Sequence, residues 1–351
     1  MPWRRAPEVR ALGPNAVASP ITDETGARTE PGSPQEPLRV LSIDGGGIRG
    51  LVPALVLQKI EEEAKRPVSE LFDVVAGTSA GGLLALALFK DRKPMSAREV
   101  AALFHARAGE AFPSPRLRTP LFGVTSVRYD SKGLRSLVDE LIGDRARLGD
   151  SRAKLLIPAI DLRSRKLKIF DSSRHGTPYK MIDVALATTA APSYFDPHEI
   201  VLEEEGHSTR AYVDGGLAAN DPAAIVVARH WQEIQRRGVV LVSLGTGRLL
   251  GDTGPLDLAD RGLKDWKDEL AGLTIDSSSH VTYRIIRDLL SSPPDNGLIW
   301  RQFRVNPELS RRIGLDDSSP ESLKQLTDAT YDWGKEGGDE IITDIIGLLD
   351  R

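Results

Sequence analysis

From Leu38 onward the chain alternates short runs that are apolar throughout with longer stretches in which apolar residues recur every three or four positions. Continuous runs bounded by turn residues read as strands buried on both faces, and the periodic stretches read as helices. The predicted strands are LRVLSID (38–44), LFDVVAG (71–77), AKLLIPAID (153–161), KLKIFD (166–171), RAYVDGG (210–216), VVLVSLGTG (239–247) and WRQFRVN (300–306). Helices are expected over residues 51–66, 80–90, 97–107, 131–142, 221–237 and 322–333. In the first, Val52, Val56, Ile60 and Ala64 share a face, with Glu61 and Lys65 placed to pair outside. The second, AGGLLALALFK, is apolar all round, which predicts a helix sunk in the core. The alternation predicts an α/β fold with a mainly parallel central sheet and helices on both faces, in three layers.

Residues 1–37 carry neither period and are rich in Pro, Gly, Ser, Thr and charge, which predicts a disordered tail. A single folded domain is expected over 38–335, followed by a C-terminal helix over 336–351. Residues 110–130 are punctuated by proline and set Phe112, Leu117, Leu121 and Phe122 beside Arg116, Arg118 and Arg128. Two readings stand: a solvated connection, or a lid or lip with apolar tips and basic flanks that meets lipid.

Composition narrows the chemistry. A net charge of -4 lacks the basic excess of a phosphate-neutralising protein, so no nucleic-acid partner is expected. The chain has no cysteine, which removes disulfides, thiol nucleophiles and Cys-built zinc sites. No EF-hand or Walker A pattern occurs, and neither metal nor cofactor is expected. The arginine-bearing start lacks the apolar core of a secretory signal, and the longest apolar run, LLALALF at 83–89, is too short to cross a bilayer. The expectation is a cytoplasmic protein that visits membranes peripherally and transiently.

Three short stretches carry the candidate chemistry. The first, Gly45-Gly46-Gly47-Ile48-Arg49-Gly50, follows a predicted strand and satisfies GxGxxG, the pattern that sets backbone N–H groups against a pyrophosphate. A dinucleotide site also needs a carboxylate at the end of the second strand; that strand ends in AGTSAGG. What stands there is the second stretch, Gly77-Thr78-Ser79-Ala80-Gly81, a GxSxG between strand and helix. Small residues flanking a serine at such a turn present its hydroxyl above the sheet as a nucleophile. Loops after two strands of a parallel sheet emerge at one edge, so the N–H groups of Gly45, Gly46 and Gly47 are placed to meet an oxyanion formed over Ser79. Arg49 is open between holding a lipid phosphate, bracing the loop and pairing with a surface acid. The third stretch, Asp214-Gly215-Gly216 after a strand, supplies a carboxylate; alone it reads as a turn, and as a base for a hydroxyl it needs desolvation.

Together SIDGGGIRG, GTSAGG and VDGG, with YDSKGLRSLV, ALATTAAPSYFDPH and LVSLGTG in support, resemble the patatin-like phospholipase family over residues 38–333. The resemblance implies a Ser79–Asp214 dyad, with Ser79 as nucleophile and Asp214 as proton acceptor. It also implies an oxyanion loop over Gly45 to Gly50, a nucleophile elbow at Gly77 and Gly81, and the fold already expected. The implied substrates are phospholipids or other polar acyl lipids. Some bacterial relatives are switched on by a cyclic nucleotide, so a regulatory small ligand is an open expectation. Two alternatives remain: a Ser-His-Asp esterase and a non-enzymatic nucleotide-binding module. The esterase requires a histidine after the acid, which leaves His230 and His280, both in probable helices; His175, His198 and His207 precede Asp214, and His198 is expected near the site.

Overall fold

The computed structural model describes residues 36–113, 127–174, 177–202, 208–249, 263–294 and 296–350. The tail expected over 1–37 falls almost wholly outside these residues. So do Leu117, Leu121, Phe122, Arg116 and Arg118 of the anticipated lip, and His175 and His207.

β1 (Leu38–Ile43) runs through the turn Gly47–Gly50 into α1 (Leu51–Ala64), and β2 (Val74–Gly77) runs into α2 (Ala80–Phe89). There follow α3 (Ala97–Ala111), α4 (Lys132–Ile142), β3 (Lys154–Asp161), β4 (Lys166–Asp171), α5 (Met181–Thr189), β5 (His198–Leu202) and β6 (Ser208–Asp214). The remainder comprises α6 (Gly216–Ala219), α7 (Ala223–Arg229), α8 (Trp231–Arg237), β7 (Val239–Leu244), β8 (Arg248–Leu249), α9 (Leu263–Leu290), β9 (Trp300–Val305), β10 (Glu308–Leu309), α10 (Pro320–Trp333) and α11 (Asp339–Leu349).

β3, β2, β1, β7 and β9 form the parallel body of the sheet, as the apolar runs led one to expect. β4, β5 and β6 add an antiparallel side. One edge of β3 carries β4 over Leu156 to Asp161. The other edge is shared, with β2 beside Lys154 to Leu156 and β6, running the opposite way, beside Ala159 to Asp161. The C-terminal ends of β2 and β6 therefore face each other along a single strand, with Ala76 opposite Leu156 and Asp214 opposite Ala159.

Strand side chains alternate between two cores. Leu41 and Ile43 join the cluster under α1, α2 and α3, whereas Leu38 and Val40 join the cluster under α7 and α9. All ten residues of α2 are buried, as its uniform apolarity predicts. α1 packs against α3, α10 and α11.

Four local expectations change. Glu61 does not pair with Lys65; its carboxylate accepts from the backbone N–H groups of Val68 (3.0 Å) and Ala97 (2.6 Å), tying together two loop ends. The helix expected over 221–237 is two, broken at His230, which leaves helical geometry at φ -104 and ψ 15. β5 was not anticipated, because five residues at a sheet edge with Ile200 and Leu202 buried and Glu199 and Val201 exposed give too short an alternation. Phe112 is not an exposed tip; it packs against Tyr129 and Phe195 with ring centroids 5.7 and 5.8 Å apart.

Candidate active site

Ser79 stands between β2 and α2 with φ 54 and ψ -123, a backbone region that costs strain for any residue with a side chain. The surrounding glycines make that turn possible. A Cβ on Gly77 would lie 2.2 Å from the Gly81 carbonyl oxygen, and one on Gly81 would lie 2.4 Å from that of Ile43. The Ser79 N–H donates to Thr188 Oγ1 at 3.0 Å, and that hydroxyl donates to the Pro158 carbonyl at 2.7 Å. The strained elbow is thereby anchored to α5 and β3.

β6 arrives from the opposite direction and delivers Asp214. Ser79 Oγ donates to Asp214 Oδ2 at 2.6 Å, while Asp214 Oδ1 accepts from the Gly216 N–H at 2.7 Å. Asp214 is 6% exposed. Burial pushes its carboxyl up to about 6, against the smaller opposing effects of the Ser79 and Gly216 hydrogen bonds. A carboxylate with that affinity, bonded to a hydroxyl, is a competent proton acceptor near neutral pH.

The glycine loop closes the site from β1. Gly47 has φ +56, and a Cβ there would lie 2.2 Å from the Leu315 carbonyl oxygen, which accepts from the Ile48 N–H at 2.9 Å. The expectation that three glycine N–H groups face Ser79 needs correction at Gly45, whose N–H donates to the Asn220 carbonyl at 3.1 Å. Among the described residues, no backbone carbonyl or side chain accepts from the N–H of Gly46 or Gly47. Both line one cavity of about 380 Å³ with Ser79 and Asp214. Its remaining wall is largely apolar and includes Leu83, Phe104, Phe112, Leu137, Tyr194 and Phe195.

Arg49 and Gly50 belong to the loop but do not line this cavity. Gly50 sits under Ala80 and Phe104 at the start of α1. The Arg49 guanidinium is buried beside Asp276 at 3.7 Å, with Nε unpartnered among the described residues, and faces a neighbouring cavity that Arg128 also lines. Gly215 lies against the Pro158 carbonyl and starts α6.

Among the described residues no histidine enters the site. His198 Nε2 pairs with Asp183 (3.1 Å) and His230 Nδ1 with Glu233 (3.1 Å), while His280 is exposed on α9. Among the described residues no histidine lines the Ser79 cavity, so the order Ser, acid, His finds no geometric support.

Residues that sequence reasoning passed over support the loop. Asp44 makes a two-pronged pair with Arg304 (2.8 and 2.6 Å), and the same guanidinium lies 3.5 Å from Asp221. Asp221 is raised to about 6 by burial, with Asp44 adding to the effect, and it accepts from Ser42 Oγ at 3.0 Å. Asn220 Nδ2 donates to the Gly45 carbonyl at 3.2 Å and to Ser279 Oγ at 3.0 Å. The one available signal was their position, Asn220 and Asp221 standing just after the Asp-Gly-Gly turn.

An activated-serine geometry at an apolar cavity on an α/β sheet is that of an acyl hydrolase. The sequence model of the patatin-like phospholipase family matches residues 41–227. The chain is 31% identical over 322 residues to a cGAMP-activated phospholipase of Escherichia coli, covering 83% of this chain and 86% of that protein. It is 29% identical over 324 residues to a cGAMP-activated phospholipase of Vibrio cholerae, covering 82% and 88%. It is 30% identical over 295 residues to patatin-like protein 2 of Arabidopsis thaliana, covering 71% and 70%. The chain belongs to the patatin-like phospholipase family and is a lipid acyl hydrolase.

Proposed function

We propose that the protein cleaves ester-linked acyl chains from phospholipids or related polar lipids through a Ser79–Asp214 dyad. The observation that carries the reading is the 2.6 Å hydrogen bond from Ser79 Oγ to a buried carboxylate beside an apolar cavity. Asp214 takes the hydroxyl proton as Oγ attacks the ester carbonyl, and returns it to the departing alcohol. The N–H groups of Gly46 and Gly47 receive the tetrahedral oxyanion. Apolar side chains around the cavity hold the acyl chain, since each buried methylene contributes about 0.8 kcal/mol. Ser79→Ala and Asp214→Asn are each expected to abolish hydrolysis of a phospholipid or p-nitrophenyl ester, with His230→Ala and His280→Ala near wild type. A dead histidine variant that is still folded would count against the dyad.

Access to a lipid requires peripheral contact with a membrane from the cytoplasmic side. Among the described residues no helix is long and apolar enough to cross one. Control by a small ligand, cyclic GMP-AMP being the first to try, is part of the same proposal. The bacterial relatives named for that activation are matched over most of their length. A separate cavity of about 1650 Å³, lined by many charged side chains, shares Asn220 with the Ser79 cavity and offers a route by which occupancy of one would reach the other.

A further inference from the structure

Asn220 is 2% exposed and lines the Ser79 cavity, yet its Oδ1 is buried without a hydrogen-bond partner among the described residues. Buried polar atoms in native proteins are nearly always satisfied, so an orphan acceptor at an active site calls for a ligand. Its orientation is set by its neighbour. The Gly45 carbonyl can only accept, so the amide NH2 must face it and Oδ1 must face away.

The bare glycines show where Oδ1 faces. A Cβ on Gly45 would lie 2.5 Å from Asn220 Oδ1 and 3.2 Å from Ser79 Cβ. A Cβ on Gly216 would lie 3.1 Å from Asp214 Oδ1 and 3.2 Å from Asn220 Oδ1. Two acceptors, one a carboxylate and one a neutral amide, therefore stand together at Gly216 beside the serine. That is the donor requirement of one water molecule, which has two hydrogens to give and a lone pair left to use.

We propose that Asn220 Oδ1 and Asp214 hold the water that hydrolyses the acyl-enzyme, which makes Asn220 a third catalytic residue; this rests on the dyad reading above. Once Ser79 Oγ is acylated, Asp214 has passed its proton to the departing alcohol and is a carboxylate again. The water donates one hydrogen to Asn220 Oδ1 and the other to Asp214, and turns its lone pair to the acyl carbon. The new C–O bond forms as Asp214 takes the proton. Collapse of the tetrahedral intermediate breaks the Ser79 Oγ–C bond, and Asp214 returns the proton to Oγ. The products are the free fatty acid and the starting enzyme. A neutral acceptor suits this place because a second carboxylate there would raise Asp214 further and weaken its ionised form.

The test separates acylation from deacylation. Labelling by a fluorophosphonate needs Ser79, Asp214 and the glycine loop but no hydrolytic water, whereas steady-state turnover of a p-nitrophenyl ester needs both steps. In Asn220→Ala, the loss of the Gly45 contact slows labelling as well, but turnover is expected to fall about ten- to a hundredfold further than the labelling rate does. A burst of nitrophenol and an acyl adduct on Ser79 in the intact mass spectrum should appear, and hydroxylamine should restore turnover. Asn220→Ser, which keeps a hydroxyl for Gly45 but withdraws the acceptor from over Gly216, should show the same adduct if the first variant does not fold. Parallel loss of labelling and turnover without an adduct would assign Asn220 to loop support alone and overturn the proposal, as would unchanged turnover. Failure of the wild-type protein to be labelled at Ser79 would instead overturn the dyad.

Discussion

The role proposed for Asp214 carries a cost to the fold. Its carboxyl is held near 6 by burial, above its ordinary value of 3.8, so the folded chain binds that proton more tightly than the unfolded chain. Stability from this group is therefore full below the ordinary value and is lost as pH rises through about 6. Activity runs the other way, since the proton acceptor must be ionised. We expect kcat/KM to climb with pH through about 6 and then level, and Asp214→Asn to be inactive yet more stable at pH 8 by about 2–3 kcal/mol. A flat profile between pH 5 and 7, or an Asn variant that melts below wild type at pH 8, would contradict this. At this scale Ser79 and Asp214 were legible because short flanking motifs announce them. Asn220 and Thr188 were not, because their partners, Gly45 and the Ser79 N–H, lie far away in sequence and meet them only in the folded chain.

The pairing of elements explains how Ser79 and Asp214 meet with no described histidine between them. β3 holds β2 and β6 end to end along one edge, so two turns, GTSAG and DGG, point at each other across Ile157 and Pro158 of a shared neighbour. Parallel periodicity predicted β1, β2, β3, β7 and β9; the antiparallel entry of β6 leaves no trace in a buried apolar run, whose pattern is the same in either direction. α9 was expected only around His280 and not over its full 28 residues, because the polar run Asp276 to His280 dilutes the apolar repeat. The glycine loop is the element most exposed to error. At Gly47 a side chain meets both a φ of +56 and the Leu315 carbonyl. Gly47→Ala is expected to move an oxyanion donor and lower kcat by about two to three decades with KM little changed. An equal loss in KM alone, read by steady-state kinetics, would show that the loop binds substrate rather than the transition state.

Over the whole molecule, residues far apart in the chain meet next to the glycine loop. Asp44 on the β1 side, Arg304 of β9 and Asp221 before α7 form a buried ionic knot beneath the glycine loop. The knot ties strands that the chain visits some 260 residues apart. Asn220, next to the knot, is common to the larger cavity and the Ser79 cavity, a route that the proposed ligand control would use. If that route is used, cyclic GMP-AMP should raise phospholipid hydrolysis by about tenfold or more, a coupling of roughly 1.4 kcal/mol. Equal rates with and without it would remove the ligand from the account while leaving the hydrolase intact. The central claim, that Ser79 is a nucleophile activated by Asp214, is tested most directly by a fluorophosphonate probe followed by peptide mapping. The account predicts a single modified peptide carrying Ser79, lost in Ser79→Ala and strongly slowed in Asp214→Asn. Modification elsewhere, or equal labelling of the Asp214→Asn protein, would contradict it.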